Sequence, residues 1–243
     1  MYIVDSHAHL GETCVFDVPV TEEELIGAMD EHGIDTSIVF PLPGARDKEV
    51  HTEIAKLAQK YPGRIKGLVS INPHIPEEEY YGEVERCVKK LNFFGIKLHP
   101  FGHACPVNCK DADKVFDAAR LYKMPLIIHS GLGAPYSLPS VFIPRIKKYP
   151  DIPIIIAHAG AYLFTEEAIV TASLFSNVYL ETSWCGTHRI VEMVHKIGAD
   201  RVMFGADIPA NVGSELAKYT TSKLTTGELE KVLGQNAKEL FKI

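Results

Sequence analysis

Residues 2–11 read YIVDSHAHLG, an apolar run that ends on two histidines one residue apart. Side chains at i and i+2 leave an extended backbone on one face, so His7 and His9 point one way while Ser6 and Ala8 point the other. Alone, such a pair is as consistent with solvation as with chemistry. The recurrence of the pattern decides. Apolar, β-branched runs return at TSIVFPL (36–42), RIKGLVSIN (64–72), FGIKLHP (94–100), PLIIHSG (125–131), PIIIAHAG (153–160), NVYLETS (177–183) and RVMFGADIP (201–209), making eight candidate strands.

Helical periodicity fills the intervals. Leu25, Ile26 and Met29 follow a Thr21 to Glu24 capping box, and Val84, Cys87, Val88 and Leu91 follow Pro76. Further helices are expected over 50–60, 115–122, 141–149, 165–175, 190–197 and 228–241. Near-continuous apolar strands separated by helices imply a parallel sheet covered on its outside. No G-x-G-x-x-G follows the first strand and no P-loop pattern occurs, so eight alternating units favour a (β/α)₈ TIM barrel over an open nucleotide-binding sheet. At 243 residues, one α/β domain over 1–243 is expected.

The connections place the working face. Those from helix to strand are short (HGIDT, KYPGR, YKMP, KYPDIP, KIGADR), whereas LGETCVFDVPV, FGHACPVNCKDAD, SGLGAPYSLPS and IPANVGSELAKYTTSKLTT run from strand to helix. In a barrel the long loops build the active-site face at the C-terminal ends of the strands. The polar residues collect there: His7 and His9 end the first strand, Lys97 and His99 the fourth, His129 the fifth, His158 the sixth and Asp207 the eighth. A histidine beside a core is more often hydrogen-bonded structure than a ligand. Several imidazoles and a carboxylate converging on one mouth are instead the donors that zinc and similar divalent ions prefer. Open coordination positions would make such a site catalytic.

VDSHAH, GIKLHP, IIHSG, IIIAHAG and FGADIP, in that order on alternating units, resemble the amidohydrolase superfamily. VLGQNAKELF resembles the closing helix of its amidohydrolase-related branch, which includes aromatic-acid and carboxymuconate-type decarboxylases. The resemblance spans essentially the whole chain. It implies that His7, His9, His129 and Asp207 are metal-associated, and that His158 sits beside the bound water as base, electrostatic partner or ligand to a second ion. Asp207 is the implied proton acceptor. Binuclear members carry a carbamylated lysine on the fourth strand, for which Lys97 stands in the matching place. One ion is favoured, with two if Lys97 is carbamylated.

The function expected on these grounds is hydrolysis of a small amide, lactone or ester by metal-activated water. The runner-up is non-oxidative decarboxylation of a small unsaturated or aromatic acid. A TatD-like nuclease resembles the chain less, because GIKLHP stands where a metal-bridging glutamate is expected, and a non-catalytic metal-binding barrel is the remaining alternative. His99 faces the mouth as a substrate contact. Arg46, suited to bidentate carboxylate binding, and Trp184 are further substrate-contact candidates, alongside His74, His188 and Arg189 at other strand ends. Asp5 is read as bracing its strand.

Net charge of −6 speaks against nucleic acid or an anionic membrane as partner, leaving a small molecule, with self-association into a homo-oligomer open. The apolar runs fall short of a membrane span. Five irregularly spaced cysteines suit a reducing compartment, and the cytoplasm is the expected location.

Overall fold

In the computed structural model, which describes residues 1–12, 19–44 and 46–243, the strand that bears the first two histidines is β1, Val4–Leu10. It pairs in parallel with β2, Thr36–Pro41, with an irregularity between Asp5 and Ala8. The expected third strand is divided into β3, Ile65–Gly67, on β2 and β4, Val69–Ser70, on β5, Ile96–Leu98. Between them the Leu68 N–H bonds to Val39 O at 2.9 Å and the Val69 N–H to Gly95 O at 3.0 Å, so the two segments form one staggered position in the sheet. Parallel pairing then continues through β6, Leu126–His129, β7, Ile154–Ala157, β8, Val178–Glu181, and β9, Val202–Met203.

The ring closes between its last and first strands. The Ser6 N–H donates to Phe204 O at 3.0 Å, the Asp207 N–H donates to His7 O at 2.7 Å, and Ala8 forms a parallel bridge with Asp207. The Asp5 carboxylate accepts from the His7 and Ala206 N–H groups at 3.1 and 2.9 Å, tying the same seam.

Alternation sorts the side chains into two cores. Val4, Ile38, Phe40, Leu68, Ile127, Ile155 and Met203 pack together inside the ring, floored by Ala237 and Phe241. Their neighbours Val39, Ile96, Leu98, Leu126, Ile128, Ile154 and Ile156 face outward into the layer shared with the helices. That layer is supplied by α1 (Glu22–His32), α2 (Asp47–Lys60), α3 (Glu77–Lys90), α4 (Asp113–Tyr122), α5 (Ile143–Lys148), α6 (Thr165–Leu174) and α7 (Thr187–Ile197). The Thr21 capping box forms as its sequence requires, with Gly33 in the left-handed conformation at the other end of α1.

Two departures come after β9. The stretch 208–226 is expected as a connection, yet it contains α8, Val212–Thr220, which buries Val212, Glu215 and Tyr219. The helix expected over 228–241 is α9, Thr226–Glu230, and α10, Asn236–Phe241, joined through a π-helical turn, Lys231–Gln235. Gly234 lies in that turn, and a Cβ there would stand 2.2 Å from the Tyr2 carbonyl oxygen, so backbone meets backbone and only glycine fits. No described helix is long and apolar enough to cross a membrane. Cys14 lies outside the described residues.

Candidate active site

At the C-terminal mouth of the ring, His7 Nε2, His9 Nε2 and Asp207 Oδ1 form a nearly equilateral triangle, with separations of 3.3, 3.2 and 3.2 Å. Donors bound tetrahedrally at roughly 2.0–2.2 Å to one ion stand about 3.2–3.6 Å apart, so this triangle matches one face of such a shell. The His7 tautomer agrees. Its Nδ1 lies 2.8 Å from Glu181 Oε2, and a carboxylate accepts only, so Nδ1 carries the proton and the Nε2 lone pair turns to the triangle. Phe40 floors the site, its ring centroid 5.0 Å from that of His7 and 4.6 Å from that of His9.

The electrostatics differ from group to group. Burial works against a charged His7, but Glu181 and Asp207 outweigh it and raise its pKa. His9 is pushed down to about 4 by burial, and His158 likewise to about 3. Burial also opposes the Asp207 carboxylate, yet His158, His7 and His9 hold it well below the usual range. Lys97, its Nζ 3.1 Å from His7 Nε2 and 4.7 Å from the Phe40 centroid, is lowered to about 7 by burial against the pull of Asp207 and Glu181. A lysine so easily made neutral is compatible with a dication next door.

His158 and His129 continue the cluster. His129 Nε2 lies 2.9 Å from Leu132 O, an acceptor only, so a neutral His129 has its lone pair on Nδ1, which faces His158 Nε2 at 3.1 Å. His158 Nδ1 meets Ser183 Oγ at 2.6 Å, and that hydroxyl also reaches Glu181 Oε2 at 2.9 Å. A carboxylate only accepts, so Ser183 donates to Glu181 and His158 Nδ1 donates to Ser183, which leaves two imidazole lone pairs facing each other with room for a proton or a cation between them.

The backbone is held in an unusual state here. His158, Trp184 and Asp207 are non-glycine residues with φ of 59°, 63° and 72°. Each costs on the order of 1–3 kcal/mol, and such residues concentrate where geometry serves function. The Trp184 indole N–H donates to Asp207 Oδ2 at 2.7 Å, occupying the carboxylate oxygen that the two histidines do not use.

A cavity of about 460 Å³ opens above this floor, walled by Leu42, Pro43, Leu132, Ala161, Trp184 and Ile208, with His9, His99, His129, His158 and Asp207 at its base. His99 stacks on His129 with ring centroids 3.9 Å apart. Arg46 is not brought to this cavity. Its guanidinium lies 3.6 Å from Glu53 and lines a separate depression beside α2, because the β2 to α2 connection turns it outward. His74 pairs with Asp111, and Arg189 with Glu192, also outside the cavity. Cys105 and Cys109 are free thiols with Sγ atoms 3.1 Å apart.

Glu181 is absent from the sequence-derived candidates although it orients His7 and accepts the His158 N–H at 3.0 Å. The signal was present in NVYLETS, an apolar strand ending on an acid, the same mark that singles out His129 or Asp207.

The family model described as amidohydrolase matches residues 4–243. The chain belongs to the amidohydrolase family. Its likenesses fall in the aromatic-acid decarboxylase-like branch. Gamma-resorcylate decarboxylase of Polaromonas sp. (strain JS666 / ATCC BAA-500) is 22% identical over 286 residues, spanning 91% of this chain and 87% of that protein. The crystal structure of 5-carboxyvanillate decarboxylase from Sphingomonas paucimobilis superposes with a TM-score of 0.77 at 15% identity, covering 100% of this chain and 99% of that one. A dihydroxybenzoic acid decarboxylase from Polaromonas sp. JS666, with bound manganese and 2-nitroresorcinol, gives 0.75 at 18% identity over 99% and 97%. These neighbours share the amidohydrolase barrel, and the ion in the last is manganese where the sequence leads to zinc. The amidohydrolase chain described here is an enzyme.

Proposed function

We propose that this amidohydrolase is a divalent-metal-dependent, non-oxidative decarboxylase of a small aromatic or unsaturated carboxylic acid. The observation that supports this most is the meeting of an apolar cavity with a donor triangle at its base. An acid would lay its carboxylate toward His7, His9 and Asp207 and its apolar body among the walls. The decarboxylases among its relatives favour this over hydrolysis of an amide, lactone or ester on the same floor.

His7, His9 and Asp207 would hold the ion, with His129, His158 and Lys97 adjoining. Manganese and zinc both suit this nitrogen and oxygen set, and one ion is the simpler assignment, because Glu181 is taken up by His7 Nδ1 and the His158 backbone N–H, and His158 Nδ1 by Ser183 Oγ. When bound, the ion supplies Lewis acidity that polarises the substrate carboxylate. The protein's side chains do the rest. Breaking the carbon–carbon bond releases carbon dioxide and leaves an electron pair on the substrate carbon, which takes up one proton. Asp207, a carboxylate at rest and steadied by Trp184 at one oxygen and by the two histidines at the other, is placed to take a proton from the substrate or from solvent and pass it to that carbon. His158, its Nδ1 held by Ser183, is placed to accept a hydrogen bond from a substrate hydroxyl at Nε2.

The test is carbon dioxide release from a panel of hydroxybenzoic and unsaturated acids by manganese- and zinc-reconstituted protein, run beside lactones, esters and amides. Release that disappears in Asp207→Asn supports the reading. Hydrolysis of a neutral substrate with no carbon dioxide from any acid would replace it.

A further inference from the structure

The cavity walls carry information about the part of the substrate that does not react. Leu42, Pro43, Leu132, Ala161, Trp184 and Ile208 contribute no cationic group, and among the described residues lining the cavity the formal charge belongs to Asp207 and is negative. Residues 13–18 and 45, outside the described residues, contain neither lysine nor arginine. The nearby cations are diverted: Lys97 is buried beneath the donor triangle against Phe40, and Arg46 faces Glu53 in a separate depression. A carboxylate placed against such walls would lose water without gaining a partner.

We propose that the cavity selects acids bearing a single carboxylate on an otherwise uncharged ring, and rejects dicarboxylates of the same size. The assignment rests on the decarboxylase reading for the placement of the first carboxylate at the donor triangle. The second anion is then excluded by the apolar wall, and by Asp207 when it lies close to the floor. Selection here is negative: nothing new attracts the preferred acid, but its competitor leaves a charge unpaired.

The experiment uses the full chain reconstituted with manganese and two probes of nearly equal size, 4-hydroxyisophthalate and its half-ester 2-hydroxy-5-(methoxycarbonyl)benzoate. Both keep a carboxylate beside a hydroxyl, and they differ in one distal charge. Binding is measured by calorimetry and carbon dioxide release by mass spectrometry. The half-ester is expected to bind at least tenfold more tightly. A smaller preference, tighter binding of the dicarboxylate, or no binding of the half-ester would overturn the proposal. Leu132→Arg adds a cation to the exposed lip and is expected to move the binding ratio at least tenfold toward the dicarboxylate; an unmoved ratio in a folded variant counts against it. The two readings separate cleanly. Selective binding of the half-ester with no carbon dioxide from any acid removes the decarboxylase and keeps the charge selection, whereas equal release from both probes does the reverse.

Discussion

Glu181 Oε2 stands 2.8 Å from His7 Nδ1, and the same carboxylate receives the His158 backbone N–H at 3.0 Å, so one buried acid orients two histidines of the mouth. Burial opposes its charge, yet His7 holds its pKa down to about 2. Replacing it by Glu181→Gln keeps a hydrogen-bond acceptor but removes the charge. Metal affinity is expected to fall about 10–100-fold, read by competition with a chromophoric chelator, while circular dichroism stays unchanged. Undiminished affinity would mean that Glu181 serves packing alone.

Lys97 offers a test of the ion count. Elemental analysis of protein purified without added metal is expected to give about one ion per chain, both in the native protein and in Lys97→Ala. Two ions dropping to one in the variant would make Lys97 a bridging ligand.

Trp184 is expected to act through Asp207. Trp184→Phe retains an aromatic wall but withdraws the indole N–H from Asp207 Oδ2, so kcat should fall with KM little changed. A rise in KM alone would assign the indole to substrate contact instead.

Glu83 gives a pH-dependent stability far from the mouth. Burial opposes its charge, but hydrogen bonds from His51 and Arg86 prevail and hold its pKa at about 2, below the ordinary 4.5. A depressed carboxylate stabilises the fold fully above its unfolded value and loses that contribution as pH drops toward the folded one. Melting temperature should therefore decline between about pH 4.5 and 2, and less steeply in Glu83→Gln. Parallel acid limbs for the two proteins would exclude the assignment.

Gly234→Ala is expected to destabilise the fold by about 1–3 kcal/mol, since its Cβ would meet the Tyr2 carbonyl, which cannot move without disturbing β1. Chemical denaturation would register the shift, and an unchanged midpoint would show that the π-helical turn relaxes.

The barrel was legible because its strands are buried on both faces and therefore read as apolar runs, with polar residues confined to their ends. That contrast exposed His7, His9, Lys97, His99, His129, His158 and Asp207. It was equally available for Glu181, whose place among hydroxyl residues in LETS makes it look like the start of a loop. The helix α8 was hidden because Pro209 and Gly213 flank or interrupt its first turn and its apolar positions are sparse. The left-handed backbone at His158, Trp184 and Asp207 had no sequence mark, since glycine is absent from all three positions. Arg46, expected as a contact of the mouth, lies beside Glu53 instead, since direction, unlike position in a loop, is set by packing.

The hydrogen bond from the Asp207 N–H to His7 O joins the first strand to the last, and the side chains of the same two residues form the donor triangle. Closing a loop over nearly the whole chain carries a larger entropic cost than any local contact. The binding site therefore comes into being only when the last strand has docked, and a chain stalled before that point has no complete triangle to offer. With an ion held as proposed, metal capture would report on finished assembly, and the ion, by favouring the docked ring, would slow its reopening.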